Sequence, residues 1–133
     1  MVGVGAVIKR GNAVLLVRRS QEPAKGLWSI PGGLVKLGET MVDAVRREVK
    51  EETDLHIESI QLLDVVDNIV HDDLGKIRFH YVLVDFLARP TGQNEPKALS
   101  DVLEVRWVKA EELCRYELTK TTRRLLDKIG FTK

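Results

Sequence analysis

The chain has 133 residues, of which 44% are hydrophobic and 31% are charged, as expected for one globular domain with a buried core. Its formal net charge of +1 gives no field that would attract nucleic acid or an anionic membrane. The apolar run Val2–Ile8 is too short for a signal peptide or a membrane span. The one cysteine, Cys114, excludes an intramolecular disulfide and fits a cytoplasmic location.

The first third of the chain predicts short strands joined by loops. Val2–Lys9 and Asn12–Arg19 are rich in Val, Ile and Leu and flank a tight turn, so they are expected to form a strand pair. Ser20–Gly26 reads as a polar loop, and Leu27–Ile30 as a brief strand that Pro31 ends. The two glycines that follow allow close backbone approach, and the next residues, 34–38, are expected to form a loop.

A helix is predicted over Met41–Thr53. Thr40 is a suitable N-cap for it, since its hydroxyl can accept a hydrogen bond from the first turn. Asp54 follows the helix, at a position where Gly or Asn is commoner. The spacing of the apolar residues predicts a buried stripe formed by Val42, Val45 and Val49.

The remainder of the chain is dominated by strands. Two long strands, Ile57–Val70 and Lys76–Ala88, surround a hairpin turn at residues 71–75. After a loop rich in Pro, Gly and Asn, the pattern predicts a strand over Leu103–Val108 and helices over Ala110–Cys114 and Thr119–Ile129. The fold class is therefore α/β or α+β, with a mostly antiparallel, partly mixed sheet.

Three glutamates of the predicted helix form its most unusual feature. Glu48, Glu51 and Glu52 stand at i, i+3 and i+4, so they share one helical face, where like charges oppose helix formation. They also lie near the helix C-terminus, where the helix dipole disfavours anions. A segment that breaks two local rules at one place is a candidate functional site, and a hard divalent cation is the natural compensation.

The segment 33–55 resembles the Nudix box. Gly33, Glu39, the run Arg47–Val49, the two glutamates 51 and 52, and Leu55 all stand at the spacing of that motif. Asp54 occupies the one position where the box has Gly. Because Asp tolerates a left-handed backbone better than most residues, we expect a small stability cost and intact chemistry. Residues 28–33 and 104–108 also look like segments of this family.

The resemblance implies the fold and the organisation of the chain. Residues 1–133 are expected to form a single domain, an α/β/α sandwich with a mixed sheet, in which the box is a loop–helix–loop. A homodimer is expected from the resemblance alone.

The resemblance also implies roles for individual residues. It implies a metal site for Mg²⁺ or Mn²⁺, formed by Glu48, Glu51, Glu52 and the carbonyl of Gly32. Either Glu48 or Glu52 is the general base, a choice that stays open. Arg47 is expected to orient a box glutamate, and Glu39 to support the site from behind.

Residues outside the box could complete the site. Glu104 is our first choice for a further carboxylate and Asp101 the second, because the family often supplies one from a loop near the strand of Trp107. Arg18, Arg19 and Arg78 could hold phosphate and Trp28 could stack on a base, although an arginine at a strand end is more often solvated and a lone tryptophan is more often core.

The box implies hydrolysis of a nucleoside diphosphate linked to another group, so the expected partner is a small nucleotide rather than nucleic acid or a membrane. The chain looks most like the small ADP-ribose pyrophosphatase branch, on the basis of its length, the strand 106–108 and the helix start 111–113. His71 stands where many such enzymes have proline and diadenosine-polyphosphate hydrolases have tyrosine, and it supports neither. A nucleoside triphosphate pyrophosphohydrolase, including one for oxidised nucleotides, is the alternative, followed by a nucleotide-sugar hydrolase and by a non-catalytic nucleotide-binding regulatory domain.

Overall fold

The computed structural model describes residues 1–131 of the chain. Within these residues the strands are β1 (Val2–Arg10), β2 (Ala13–Arg19), β3 (Trp28–Ser29), β4 (Gly32–Leu34), β5 (Ile57–His71), β6 (Ile77–Pro90) and β7 (Val102–Lys109). The helices are α1 (Met41–Thr53), a short 3-10 helix (Ala110–Arg115) and α2 (Lys120–Lys128). Neither α1 nor α2 is long and apolar enough to cross a membrane, within this described part of the chain.

Strand β1 organises the sheet. It pairs in parallel with β6 and antiparallel with β4, and its last two residues form a hairpin with β2. Strand β5 lies antiparallel to β6, while β2 pairs with both β3 and β7. The sheet is therefore mixed, as predicted.

The two faces of the sheet carry separate hydrophobic cores. On one face, α1 packs against alternate residues of β1, and this core includes Ala44, Val45 and Val49 together with Val4, Ala6 and Ile8. On the other face, α2 contributes Leu125 and Leu126, which pack with Val7, Val14 and Leu16. One helix on each face gives the α/β/α sandwich that the family resemblance implied.

Helix α1 has the predicted bounds and the predicted caps. The hydroxyl of Thr40 accepts a hydrogen bond from the backbone N–H of Asp43 at 3.1 Å. At the other end, Asp54 adopts a left-handed conformation with φ of 61°. The predicted buried stripe was wrong at Val42, which is 39% exposed; the helix buries Ala44 and Thr53 beside the two other valines.

The segment after Pro31 also differs from the prediction, because residues 32–34 form strand β4 rather than the start of a loop. Gly32 lies against β1 so closely that a Cβ atom there would come within 2.1 Å of the carbonyl oxygen of Val4. A larger residue could not pair with β1 in this way. The glycine therefore brings the box segment against the central strand of the sheet.

The loop between β6 and β7 is attached to the end of α1. The backbone N–H groups of Lys97 and Leu99 donate to the carbonyls of Thr53 and Glu52, at 2.9 and 3.0 Å. These carbonyls belong to the last turn of the helix, which has no intrahelical donors for them. The attachment places Asp101 beside the acidic end of α1.

Candidate active site

Arg47 is the centre of the polar network on α1. Its guanidinium bonds Glu39 through Nε at 2.7 Å and through Nη2 at 3.0 Å, and Nη2 also donates to the carbonyl of Leu34. Its Nη1 donates to Glu48 at 2.6 Å and to Glu51 at 3.0 Å. One arginine thus positions two box glutamates and joins them to the loop before the helix. These contacts raise the pKa of Arg47, chiefly through the hydrogen bonds to Glu39.

Glu48 is confined between Arg47 and Gly33. A Cβ atom at Gly33 would lie 2.3 Å from the carboxyl carbon of Glu48, so only glycine leaves space for this side chain. Burial raises the pKa of Glu48, while its hydrogen bond with Arg47 acts in the opposite direction. The glycine of the motif therefore creates room for a partly buried carboxylate.

Glu52 points towards the strand that precedes the box. One of its carboxylate oxygens accepts a hydrogen bond from the backbone N–H of Gly32 at 2.9 Å. Burial, together with the charges of Glu48 and Asp101, raises the pKa of Glu52 to about 8 against the effect of that hydrogen bond. A carboxyl group with a pKa near neutrality is suited to proton transfer and marks a candidate functional site.

A cavity of about 620 Å³ opens beside Glu52. Its wall near the box is formed by Gly32, Gly33, Arg19 and Asp101, and further along it is lined by Asn68, Val70, Tyr81, Leu83, Asp85 and residues 119–122. The cavity therefore runs from the acidic end of α1 to the strands of the other sheet face. Its volume is in the range of small-molecule sites.

The structure divides the predicted substrate residues into two groups. Arg19 and Asp101 line the cavity beside Glu52, and the hydroxyl of Ser20 hydrogen-bonds the carbonyl of Asp101. Glu104 lies instead beside Arg18 at 3.2 Å and Arg106 at 3.1 Å, in a separate cavity of about 510 Å³. Of the two candidates for a further carboxylate, the structure brings Asp101, and not Glu104, to the box glutamates.

Two other predicted substrate residues lie away from the cavity beside Glu52. Trp28 is 8% exposed and packs in the core with its ring edge-on to Tyr116, at 5.0 Å between ring centroids. Arg78 is exposed on the β5–β6 hairpin, with its guanidinium 5.1 Å from the ring centroid of Phe79. Trp28 is therefore a core residue and Arg78 a solvated one, as the alternative interpretations of these two residues had it.

Sequence reasoning missed Asp85, which lines the same cavity as Glu52. It is a carboxylate within an otherwise apolar strand segment, residues 82–88, and that interruption is the signal that could have identified it. It also missed residues 119–122 at the start of α2, for which the sequence carries no such signal.

The box glutamates fit a divalent metal by their chemistry. Among residues 1–131, no three His, Cys, Asp or Glu side chains converge into a ready-made metal site. Arg47 bonds Glu48 and Glu51, and the N–H of Gly32 bonds Glu52. The available donors are all carboxylate or carbonyl oxygens, which Mg²⁺ and Mn²⁺ prefer. Burial raises the pKa values of Glu48 and Glu52, and a bound cation would stabilise their ionised forms.

Comparison with known proteins shows what this chain is similar to. A family model described as NUDIX domain matches residues 1–129. The chain is 37% identical over 106 residues to a protein of Methanocaldococcus jannaschii named ADP-ribose pyrophosphatase, covering 80% of this chain and 60% of that protein. It is 34% identical over 109 residues to human 8-oxo-dGDP phosphatase NUDT18, covering 80% of this chain and 31% of that protein. The chain thus spans less than two thirds of the length of these two relatives.

A solved structure matches over nearly the whole chain. The crystal structure of a MutT NUDIX hydrolase from Burkholderia pseudomallei superposes with a TM-score of 0.83 at 34% identity. The match covers 96% of each chain. It confirms the fold class that the sequence predicted.

Proposed function

Because this chain belongs to the NUDIX domain family, we propose that it hydrolyses the pyrophosphate bond of a nucleoside diphosphate derivative. ADP-ribose is the proposed substrate, and AMP and ribose 5-phosphate are the products. The observation that carries this proposal is the cavity of about 620 Å³ that opens on Glu52, with Asp101 on its wall and the Arg47 network behind it. The relative from Methanocaldococcus jannaschii supports the choice of ADP-ribose through its name.

The reaction requires a water molecule to be positioned and deprotonated. The water oxygen forms a new bond to one phosphorus while the bond from the bridging oxygen breaks, so one product gains a hydroxyl group and the other a proton. Glu52 is the better placed of the two candidate bases, because it lines the cavity. Glu48 remains the alternative, and Asp101 adds a further carboxylate on the cavity wall.

Glu48, Glu51, Glu52 and the carbonyl of Gly32 are the residues that would hold a divalent cation, Mg²⁺ or Mn²⁺. Such a cation, when bound, neutralises phosphate charge and lowers the pKa of water. Arg47 and Glu39 keep the acidic face of α1 in place, while Arg19 is the arginine on the cavity wall that can contact a substrate phosphate.

A nucleoside di- or triphosphate, including an oxidised one, is the second candidate substrate, since the human relative is named as an 8-oxo-dGDP phosphatase. Nucleotide sugars are a third class. A regulatory domain that binds nucleotide without hydrolysis is disfavoured because all three box glutamates and Arg47 are present.

The test is a hydrolysis panel with purified protein and Mg²⁺ or Mn²⁺. It contains ADP-ribose, nucleoside triphosphates, 8-oxo-dGTP, 8-oxo-dGDP, nucleotide sugars and diadenosine polyphosphates, with products separated by chromatography. AMP and ribose 5-phosphate formed from ADP-ribose well ahead of the other reactions support the leading proposal. Preferential conversion of a nucleoside di- or triphosphate to the monophosphate selects the second candidate. Absence of turnover throughout contradicts the proposed enzyme.

We also propose that residues 1–133 act as one domain, in the cytoplasm and as a homodimer. The measurement for the dimer is the molar mass by size-exclusion chromatography with light scattering. A mass of one chain at micromolar concentration contradicts it.

A further inference from the structure

Asp85 lies in the cavity that contains Glu52, on the strand that forms its floor. Alternate residues of β6 face the cavity, namely Tyr81, Leu83 and Asp85. Asp85 is 9% exposed, so more than nine tenths of this charged residue is withdrawn from water. On the neighbouring strand it pairs with Gly5, and a Cβ atom there would come within 2.9 Å of the carboxylate. The absence of a side chain at Gly5 therefore leaves the space that the Asp85 carboxyl group occupies.

The carboxyl group of Asp85 has no partner. Across residues 1–131, no hydrogen bond or ion pair reaches it. Two cations of α2 are engaged with the neighbouring carboxylate on β5: Arg124 and Lys128 bond Asp64 at 3.1 and 2.8 Å. Burial, with the charge of Asp64, raises the pKa of Asp85 to about 6, against the effect of Arg124.

A largely buried carboxylate that no protein group bonds loses part of its hydration, and the side of it that lines the cavity is open to a ligand. Such a group is found where a ligand supplies the missing hydrogen bonds. The remaining neighbours define that ligand. Leu83, Ile30 and Val70 give the cavity apolar walls, which suit the flat face of an aromatic ring. The negative charge of Asp85 would repel a phosphate group placed beside it, so the phosphates belong elsewhere in the cavity.

We propose that Asp85 is a specificity-determining residue whose carboxyl group hydrogen-bonds the N–H donors on the edge of the substrate's nucleobase. This inference rests on the proposed function, because it assumes that the ligand of the cavity is a nucleotide. In this arrangement the diphosphate lies beside Glu52 and the base beside β6, both of which line the same cavity.

The test is the variant D85N, which keeps the shape of the side chain and replaces one acceptor by a donor. Its kcat/KM is measured for ADP-ribose and for the analogue in which hypoxanthine replaces adenine, two substrates that differ only at the base edge. The ratio of the two values should change by at least about tenfold relative to the wild-type protein, mainly through KM. A general structural role would lower both values together and leave the ratio unchanged, and that result overturns the proposal.

D67N is the matched control. Asp67 lies on the same strand pair but on its other side, where it is exposed and bonds His80 at 2.9 Å. Its substitution should leave the ratio unaltered. Melting temperatures of both variants establish that they are folded.

Failure of the proposed function can be separated from failure of this inference. If the wild-type protein hydrolyses neither substrate, binding of the same two nucleotides is measured by calorimetry. A tenfold change in the ratio of their Kd values in D85N still supports the role of Asp85. An unchanged ratio, or no binding to the wild-type protein, overturns it.

Discussion

Arg47 and Glu39 face each other as a fork against a fork: Nε and Nη2 of the arginine meet the two carboxylate oxygens at 2.7 and 3.0 Å. Glu39 also accepts the N–H of Lys36, and these bonds, with that of Arg47 the strongest, lower its pKa to about 2. The pair therefore stays ionised over the whole physiological pH range. Since the same guanidinium reaches Glu48, the pair sets the position of a box glutamate from behind.

Replacement of Arg47 by Lys should separate positioning from charge. A single ammonium group cannot make the two parallel bonds to Glu39 and also reach Glu48. We expect R47K to be folded and to lose about 10- to 100-fold in kcat, measured by steady-state hydrolysis of the best substrate of the panel. R46K is the control, because Arg46 makes one bond to the carbonyl of Ile57, which Lys can also make. Equal activities of R47K and the wild-type protein would remove Arg47 from the positioning role.

Glycine at position 33 should be essential for activity rather than for folding. In G33A the new methyl group meets the Glu48 carboxylate at 2.3 Å and must displace it. We expect a loss of activity of at least about tenfold, since small displacements of a catalytic group have large effects on rate. G92A is the control, because nothing lies within 4 Å of a Cβ atom at Gly92. The structural check is the far-ultraviolet circular dichroism of both variants.

Removal of the Glu52 charge should abolish turnover. E52Q keeps the size of the side chain but can neither accept a proton nor contribute charge to a cation site, so kcat should fall by at least about 100-fold. E58Q, at an exposed position on β5, should retain wild-type activity. Near-normal turnover in folded E52Q contradicts the assignment of the acidic face of α1 as the reaction site.

The stability of the metal-free protein should fall as pH rises. In the folded state the pKa values of Glu52 and Asp85 are raised to about 8 and about 6, from ordinary values of 4.5 and 3.8. The folded chain therefore binds more protons than the unfolded chain between about pH 4 and pH 8, and the free energy of unfolding decreases through that window. Urea unfolding at pH 5 and pH 8, with chelator present, measures the change.

Variants show which carboxyl group is responsible. D85N should remove the part of the pH dependence between about pH 4 and pH 6, on the order of 3 kcal/mol. E52Q should remove the part that extends to pH 8. If the wild-type protein is more stable at pH 8 than at pH 5, the raised pKa values are wrong.

Position 54 should tolerate the residue that the box expects. Asp54 holds a left-handed conformation, which Gly adopts without steric cost, so D54G should stabilise the protein by about 0.5 kcal/mol. Its exposed ion pair with Lys50, at 3.8 Å, contributes little that would be lost. Hydrolysis should be unchanged. D54A, which keeps a Cβ atom, is the comparison and should be less stable than the wild-type protein in urea unfolding.

Local sequence patterns were sufficient to predict most of the helices and strands. The bounds of α1 follow from its N-cap and its apolar spacing, and the long hairpin follows from the turn at residues 71–75, where the carboxylate of Asp72 accepts the N–H groups of Leu74 and Lys76. The strand β4 was missed because its formation depends on a backbone contact with β1, far away in sequence. Burial of Ala44 instead of Val42 likewise depends on how the helix sits on the sheet.

The sequence was sufficient to predict the site residues within the box but not those outside it. Spacing alone places Glu48, Glu51 and Glu52 on one helical face, and the resemblance implied that Arg47 orients a box glutamate, which it does through its bonds to Glu48 and Glu51. The choice between Asp101 and Glu104 could not be made in this way, because it depends on the path of a loop and on the side of β7 that Glu104 occupies beside Arg18. The sequence therefore identifies the chemistry of a motif better than the walls of its cavity.

The two hydrogen bonds between the β6–β7 loop and the end of α1 divide that loop into two parts. Thr91 donates to the carbonyl of His56, and residues 92–95, which follow it, are exposed, so their number can change. The part from Lys97 to Asp101 is held in register with the last turn of the helix. Insertions in residues 92–95 should thus be neutral over evolution, while a single deletion in residues 98–100 would shift Asp101 relative to Glu52. The same division marks residues 92–95 as the place to insert a reporter peptide or an affinity tag.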